Sequence, residues 1–142
     1  MRFSSFAILA TLAAAPSAFA SVGVHCGTTE DATLSDCQKL LTPDTWNGAW
    51  AGSNSVCHFG LGNVAHNVGC LGGGNCCVYV AGVDPNTLGK EQARTEAQGL
   101  LGCADTGKNL VNALQTFSDG HGVCISNGHG CGDCFDDSDF ST

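Results

Sequence analysis

The chain has 142 residues and a net charge of −8 at pH 7, with thirteen acidic side chains against five basic ones. Nucleic acids and anionic membrane surfaces are bound through clustered Lys and Arg, so this balance argues against both as partners. No segment after the first twenty residues is apolar for long enough to cross a bilayer, so we expect no membrane span.

The first twenty residues have the pattern of a secretory signal peptide. Arg2 precedes an apolar run, residues 6–15, and small residues stand at the two positions read before cleavage after Ala20. A membrane anchor is the alternative, but the run is too short to span a bilayer. We therefore expect residues 1–20 to be removed. Residues 21–142 are expected to form a single secreted domain that works outside the cell as a monomer.

All ten cysteines lie in residues 21–142. An even, dense set in a secreted chain predicts a disulfide framework, here of up to five bridges. Each native bridge typically adds about 2–4 kcal/mol to the free energy of unfolding. Because twenty glycines thin the core, we expect the bridges to decide whether the chain folds. The half-cystines are Cys26, Cys37, Cys57, Cys70, Cys76, Cys77, Cys103, Cys124, Cys131 and Cys134.

The first predicted element in chain order is a helix that starts near Thr33. Thr33 and Asp36 have the spacing of a capping box, and Pro43 limits how far the helix can continue. Its apolar residues recur on one face of a 3.6-residue period, and they are Leu34, Cys37, Leu40 and Leu41.

Residues 45–74 are rich in Gly, Asn and Ser, and two short apolar runs within them, 56–61 and 64–68, predict strands separated by turns. The segment "NCCVYVAG" predicts the best strand of the chain. With a period of two, Cys76, Val78 and Val80 face one way, whereas Cys77, Tyr79 and Ala81 face the other. This pattern indicates a central strand covered on both faces, whose adjacent cysteines pair with different partners.

The sequence Asp84-Pro85-Asn86 predicts a turn, and "KEQARTEAQGLLG" after it predicts a second helix with Gly102 as its C-cap. Residues 109–117 suit either a helix or a strand. We favour a strand, because "SDGHG" resembles a hairpin loop that leads into "VCISNG". The expected fold is therefore α+β: a small disulfide-stapled domain with a mainly antiparallel sheet and two helices.

The segment from Gly120 to Phe140 concentrates the residues that could bind a metal. His121, His129 and the three nearby cysteines could supply zinc ligands, but only one cysteine pair is well spaced, and secretion oxidises thiols. The same Cys-x-x-Cys lacks the strand–helix context of a thioredoxin-like redox site. Four aspartates (Asp133, Asp136, Asp137 and Asp139) lack the spacing of a calcium loop, so they predict an acidic, solvated tail that Phe135 or Phe140 tethers. We predict disulfides here, with no metal and no cofactor.

Catalysis has little support in the sequence. The five histidines are scattered, and no nucleophile signature accompanies them. We therefore predict no catalytic residue and no enzyme activity. A binding role needs no such signature, and Trp46, Trp50 and Phe59 lie in or beside the glycine-rich segment, where aromatic side chains could stack on a glycan or contact a protein. The alternative is that both tryptophans fill the core.

The order of these features resembles a family of small secreted fungal effectors. Ten cysteines, a "DCQKLL" helix, a "CCVYV" strand, a second helix ending "LLGC" and a final glycine-rich hairpin are similar to the killer-toxin-like α/β-sandwich proteins and the extracellular necrosis-inducing effectors. The resemblance implies an antiparallel sheet flanked by two helices, no cofactor, and action on competing microbes or a host. The best-known toxin of this type is basic and depends on a lysine, which we cannot match to Lys39, Lys90 or Lys108.

These observations order three hypotheses. The first is a secreted toxin- or effector-like protein that binds an extracellular target. The second is a secreted protein that binds cell-wall carbohydrate, and the third is a small secreted hydrolase.

Overall fold

The computed structural model describes residues 21–27 and 31–140, and the predicted signal peptide, residues 1–20, lies outside the described residues. The described part contains eight strands and four α-helices. The strands are β1 (Ser21–Cys26), β2 (Ala32–Thr33), β3 (Val56–Phe59), β4 (Asn63–Cys70), β5 (Cys77–Ala81), β6 (Leu110–Val111), β7 (Ala113–Phe117) and β8 (Gly122–Ser126). The helices are α1 (Leu34–Leu40), α2 (Pro43–Ala49), α3 (Pro85–Leu88) and α4 (Lys90–Leu100).

Six strands form one antiparallel sheet in the order β1-β7-β8-β5-β4-β3, and β2 pairs with β6 in a second, two-stranded sheet. The fold class is confirmed as α+β, with a mainly antiparallel sheet. Residues 109–117, whose sequence suits either a helix or a strand, contain the strands β6 and β7. The strand interpretation is therefore correct. The loop between β7 and β8 is the hairpin loop that "SDGHG" predicts.

The central strand β5 is buried along its whole length, as its sequence predicts. Val78 and Val80 pack into the core on the helix side of the sheet, whereas Cys77 and Tyr79 pack into a second core on the other side. The alternation with a period of two therefore predicted correctly which side chains of β5 lie on each face of the sheet. The sheet separates a layer of helices from a layer formed by the C-terminal segment.

The helix layer contains α1, α2 and α4, and its largest buried side chain is Trp46 on α2. The indole Nε1 of Trp46 donates to the carbonyl of Lys90 over 2.9 Å, which ties α2 to the first residue of α4. Gly69 on β4 gives the ring room, because a Cβ there would lie 3.0 Å from it. Trp46 thus joins two helices and the sheet.

The C-terminal segment covers the opposite face of the sheet through two 3-10 helices, Cys131–Asp133 and Asp137–Phe140. Phe135 is buried, and its ring centroid lies 5.6 Å from those of both Phe59 and Phe140. The tail is acidic, as predicted, but it is packed against the sheet rather than freely solvated. The sequence predicted that Phe135 or Phe140 holds the tail in place, and in the structure both rings pack against Phe59.

Five disulfides use all ten cysteines, which confirms the predicted framework. Cys76 and Cys77 pair with different partners, as the alternation of the strand requires. The pairs are Cys26–Cys103, Cys37–Cys76, Cys57–Cys131, Cys70–Cys77 and Cys124–Cys134.

Two helices of the described chain were missed by the sequence analysis. Pro43 was taken to stop α1, but it also occupies the first turn of α2, where its missing N–H costs nothing. In the same way Pro85 begins the short helix α3, with the side chain of Asp84 accepting from the N–H of Asn86. The predicted turn at residues 84–86 is therefore the N-terminus of a helix.

The predicted caps of α1 and α4 are also wrong. The side chain of Thr33, the N-cap residue, makes no capping hydrogen bond, and the carboxylate of Asp36 accepts from the N–H of Asn75. Asn109 performs the capping instead: its carbonyl accepts from Leu34 N–H and its side chain from Ser35 N–H. At the end of α4 the chain continues into the 3-10 helix Leu101–Cys103, so Gly102 lies inside a helical turn.

Candidate functional site

The three aromatic residues proposed as a binding surface do not form one. Trp46 is fully buried, Trp50 is half-buried with its ring 5.5 Å from that of Trp46, and Phe59 is buried under the C-terminal segment. For Trp46 the core-filling alternative is therefore the observed one. A ligand could stack on Trp46 or Phe59 only after the core around them had opened, whereas Trp50 is only partly covered.

Of the five large apolar side chains that are exposed in the described part of the chain, three lie instead on the hairpin of β3 and β4, and the other two, Val22 and Val24, lie on β1. Leu61, in the turn between the two strands, is 97% exposed, and Val56 and Val64 are exposed on the strands themselves. We call these three residues the hairpin patch. Val64 pairs across the hairpin with His58, and Val56 with His66, so one face of the hairpin alternates valine and histidine. Among the described residues, β3 is the last strand at this end of the sheet, and no other described strand pairs with its outer edge.

The turn that carries Leu61 is held by the carboxylate of Asp137. The N–H of Leu61 donates to both oxygens, at 3.0 and 3.3 Å, and the side-chain amide of Asn63 donates to Oδ1 over 2.6 Å. Gly60 is required here, since its φ is +52° and a Cβ would run into the Asp137 carboxylate. The backbone at the tip is therefore fixed although the leucine side chain lies in solvent.

The strands below the tip are anchored as firmly. The Cys57–Cys131 disulfide joins β3 to the C-terminal segment. Phe59, on the same face of β3 as Cys57, packs against Phe135 and Phe140 with ring centroids 5.6 and 5.7 Å apart. A covalent bond, three rings and one carboxylate thus position the hairpin patch.

Charge is divided unequally over the molecule. The described basic side chains lie on α1, on α4 or in the loop after α4, and they are Lys39, Lys90, Arg94 and Lys108. No Lys or Arg occurs in residues 51–89, which include the hairpin, or after residue 108. The C-terminal segment beside the hairpin carries four aspartates. The surroundings of the hairpin patch are therefore acidic and would attract a basic surface rather than an anionic one.

A second cluster of chemically capable residues surrounds His121, whose side chain is 1% exposed. Its Nδ1 lies 2.5 Å from Asp119 Oδ1, and its Nε2 lies 3.0 Å from Glu96 Oε2. The ring also stacks on Phe117, with centroids 4.3 Å apart. The cluster joins α4 to the loop between β7 and β8.

The two carboxylates decide the charge of this histidine. Burial alone would lower the pKa of His121, but its hydrogen bonds to Glu96 and Asp119 and their negative charges outweigh burial and raise that pKa. Burial likewise opposes the lowered pKa of Asp119, which follows from its hydrogen bonds with the backbone and ring of His121 and from the ring's charge. The arrangement therefore favours the protonated form of the ring, which lies between two carboxylates.

This cluster has little capacity for acid–base catalysis. Each ring nitrogen of His121 already faces a carboxylate, so the ring could accept a proton from a nucleophile only by giving up one of them. From the sequence, His121 was predicted only as a metal or catalytic candidate, and Glu96 was not identified as its partner. One signal was present: Glu96 stands three residues after the buried Ala93, on the inward side of α4.

The other candidates in residues 120–140 are placed as follows. Cys124, Cys131 and Cys134 are all half-cystines, while His129 lies on the surface. Within residues 21–27 and 31–140, no group of three or more His, Cys, Asp or Glu side chains is placed to hold a metal ion. The same residues contain no helix that combines the length and the apolar character needed to cross a bilayer.

Comparison of the chain with protein-family models, with curated proteins and with solved structures finds no match. The resemblance to killer-toxin-like effectors therefore stays a prediction from the sequence. The five disulfides themselves fit an extracellular protein, because such bridges persist in oxidising compartments.

Proposed function

We propose that this chain is a secreted binding protein of the toxin or effector type, which contacts an extracellular target on another organism through the hairpin patch. The predicted signal peptide, the disulfides and the sequence resemblance support secretion and this class of action. The target surface is neutral or basic, since the hairpin and the C-terminal segment beside it lack Lys and Arg.

The observation that carries the proposal is a fully exposed leucine on a rigid turn. Leu61 is 97% exposed, yet Asp137 fixes its backbone and the Cys57–Cys131 bridge fixes the strand below. Burying a leucine side chain is worth about 1.5–3 kcal/mol. Because the turn is already ordered, little of that free energy is lost to ordering it on binding.

The geometry gives less support to the other two hypotheses, carbohydrate binding and hydrolysis. Stacking on a glycan needs an exposed aromatic face, but Trp46 is in the core, and the half-buried Trp50 packs against it and offers only part of its surface. For a hydrolase, the buried His121 is a poor general base, because both of its ring nitrogens face carboxylates. Binding by an exposed hairpin requires no rearrangement of the fold.

The test measures attachment of fluorescently labelled protein to fungal cells, bacterial cells and plant leaf tissue, together with growth inhibition and cell death. Leu61→Ser should weaken attachment about 10- to 100-fold, the affinity equivalent of one buried leucine. The matched control is Val24→Ser, which removes an exposed apolar side chain from β1 at the opposite edge of the sheet. This control should attach as the unchanged protein does.

Three results would overturn the proposal. The first is an absence of attachment and of biological effect across the whole panel. The second is equal loss in the Leu61→Ser and Val24→Ser variants, since this would assign no special role to the hairpin. The third is catalytic turnover that a single His→Ala substitution abolishes.

A further inference from the structure

A separate pocket lies at the other end of the sheet, where β1 and β7 meet the C-terminal segment. Its volume is about 220 Å³, and its walls include Val22, Thr116, Phe117, Asp139 and Phe140. Three apolar or aromatic side chains therefore line the pocket together with one carboxylate and two hydroxyl-bearing residues, Thr116 and Ser118. Pockets for drug-sized ligands usually measure about 300–1,000 Å³, so this one suits a smaller group.

The carboxylate of Asp139 is buried in this pocket without a full set of partners. Its side chain is 6% exposed. Oδ2 accepts from the N–H of Asp136 over 2.8 Å. Oδ1 accepts no hydrogen bond from the described residues, and its nearest cationic candidate, Nδ1 of the largely exposed His25, is 3.9 Å away. That distance is too long for a hydrogen bond.

The chemistry of the missing partner follows from charge and shape. A buried carboxylate is costly unless a cation pairs with it. Aromatic faces also attract cations, and Phe117 and Phe140 both line the pocket. A flexible aliphatic chain with a terminal ammonium would fill the volume, contact Val22 and reach Asp139. An anion would be repelled by the carboxylate, and a neutral alcohol could donate a hydrogen bond to it but would not balance its charge.

We propose that the Asp139 pocket binds a primary ammonium group. Two sources supply that chemistry. One is an external alkylamine, including a lysine side chain of a partner. The other is the chain itself: cleavage after Ala20 would create an α-ammonium on Ser21, the residue next to Val22 in the pocket wall. This inference does not depend on the hairpin patch or on the proposed function.

The experiment is an NMR titration of the ¹⁵N-labelled, disulfide-bonded protein with n-butylammonium, with the neutral n-butanol as matched probe. Two chains are compared, one that begins at Ser21 and one with two extra residues before it. In at least one of the two chains, butylammonium should change the chemical shifts of the amide groups of Thr116, Ser118 and Gly120. The concentration that it needs should be at least 10-fold lower than the concentration of butanol that causes the same change. Asp139→Asn keeps an acceptor for Asp136 N–H and should reduce that affinity at least 10-fold.

The two sources give different results. If the extended chain binds butylammonium and the chain beginning at Ser21 binds at least 10-fold more weakly, the pocket is occupied by the chain's own N-terminus. If both bind equally, the ligand is an external amine. Val22→Phe should block the pocket, whereas Val24→Phe, on the same strand outside the pocket, should not. Equal response to butanol, or unchanged binding by a folded Asp139→Asn protein, would overturn the proposal.

Discussion

At the scale of single residues, His121 shows how one buried charge can make stability depend on pH. The ring is enclosed, and its two carboxylate partners belong to different parts of the fold, Glu96 to α4 and Asp119 to the β7–β8 loop. Removing one member of a buried ion cluster leaves the others uncompensated, at a cost of about 3–5 kcal/mol. Because the Asp119 side chain is 26% exposed, the lower end of that range applies.

We expect the free energy of unfolding to be largest in the pH range above the titration of Asp119 and below the titration of His121. The folded-state pKa of His121 is raised, so its contribution is complete below the unfolded value of 6.5 and is lost as the pH rises through the folded value. The folded-state pKa of Asp119 is lowered, so its contribution is present above 3.8 and is lost as the pH falls through the folded value. Urea unfolding followed by circular dichroism at several pH values measures the profile.

The variant His121→Gln should lose about 3 kcal/mol near neutral pH and flatten the decline on the alkaline side. His25→Gln serves as the control, since that ring is 63% exposed. An unchanged alkaline decline in His121→Gln would show that another group causes it.

At the scale of elements, hydrophobic periodicity and turn residues predicted most of the sheet. They did not predict features that depend on hydrogen bonds between residues far apart in the sequence. The alternation in β5 was read correctly because both of its faces are buried and the pattern is local. The capping of α1 could not be predicted, because its partner Asn109 is 74 residues away from Ser35. The start of α2 could have been found, since Pro43 followed by Asp44 is a typical first turn of a helix.

The disulfides should differ in their contribution according to the length of chain that each one closes. The Cys26–Cys103 bond joins residues 77 apart, whereas the Cys70–Cys77 bond joins residues 7 apart. From the loop-closure entropy of the unfolded chain we expect paired Cys→Ala substitution to cost about 4.5 kcal/mol for the first and about 2.4 kcal/mol for the second. Guanidinium unfolding of the two variants makes the comparison. Equal losses would mean that native packing around the bonds outweighs chain entropy.

At the scale of the whole molecule, two thin cores on either side of one sheet depend on the covalent framework. Five bridges of about 2–4 kcal/mol each are together comparable to, or larger than, the usual net stability of a domain, about 5–15 kcal/mol. Reduction and alkylation should therefore abolish the near-ultraviolet circular dichroism and the cooperative unfolding transition at 25 °C.

The matched control is alkylation without reductant. It should leave the spectrum unchanged and the mass about 10 Da below that of the reduced chain, two hydrogens for each bridge. A reduced chain that still unfolds cooperatively would show that the cores suffice by themselves.

The candidate site was less predictable than the fold. The sequence pointed to Trp46, Trp50 and Phe59 because they are the large aromatic side chains in or beside the glycine-rich segment. In a chain with few large apolar side chains, such residues are also the ones that fill the core. Leu61 was predicted only as the end of a strand over residues 56–61, whereas β3 ends at Phe59 and Leu61 lies in the turn. Its exposure depends on Asp137, which is 76 residues away and holds the turn from the other end of the chain.

The disulfides also determine what a protease can achieve. The segments closed by Cys26–Cys103, Cys57–Cys131 and Cys124–Cys134 overlap, so together they span every peptide bond from Cys26 to Cys134. A single cut anywhere in that range, for example in the exposed glycines 72–74, leaves two fragments that remain covalently joined. A first proteolytic cut in that range therefore cannot release a fragment, and a second cut or reduction of a bridge is needed to do so.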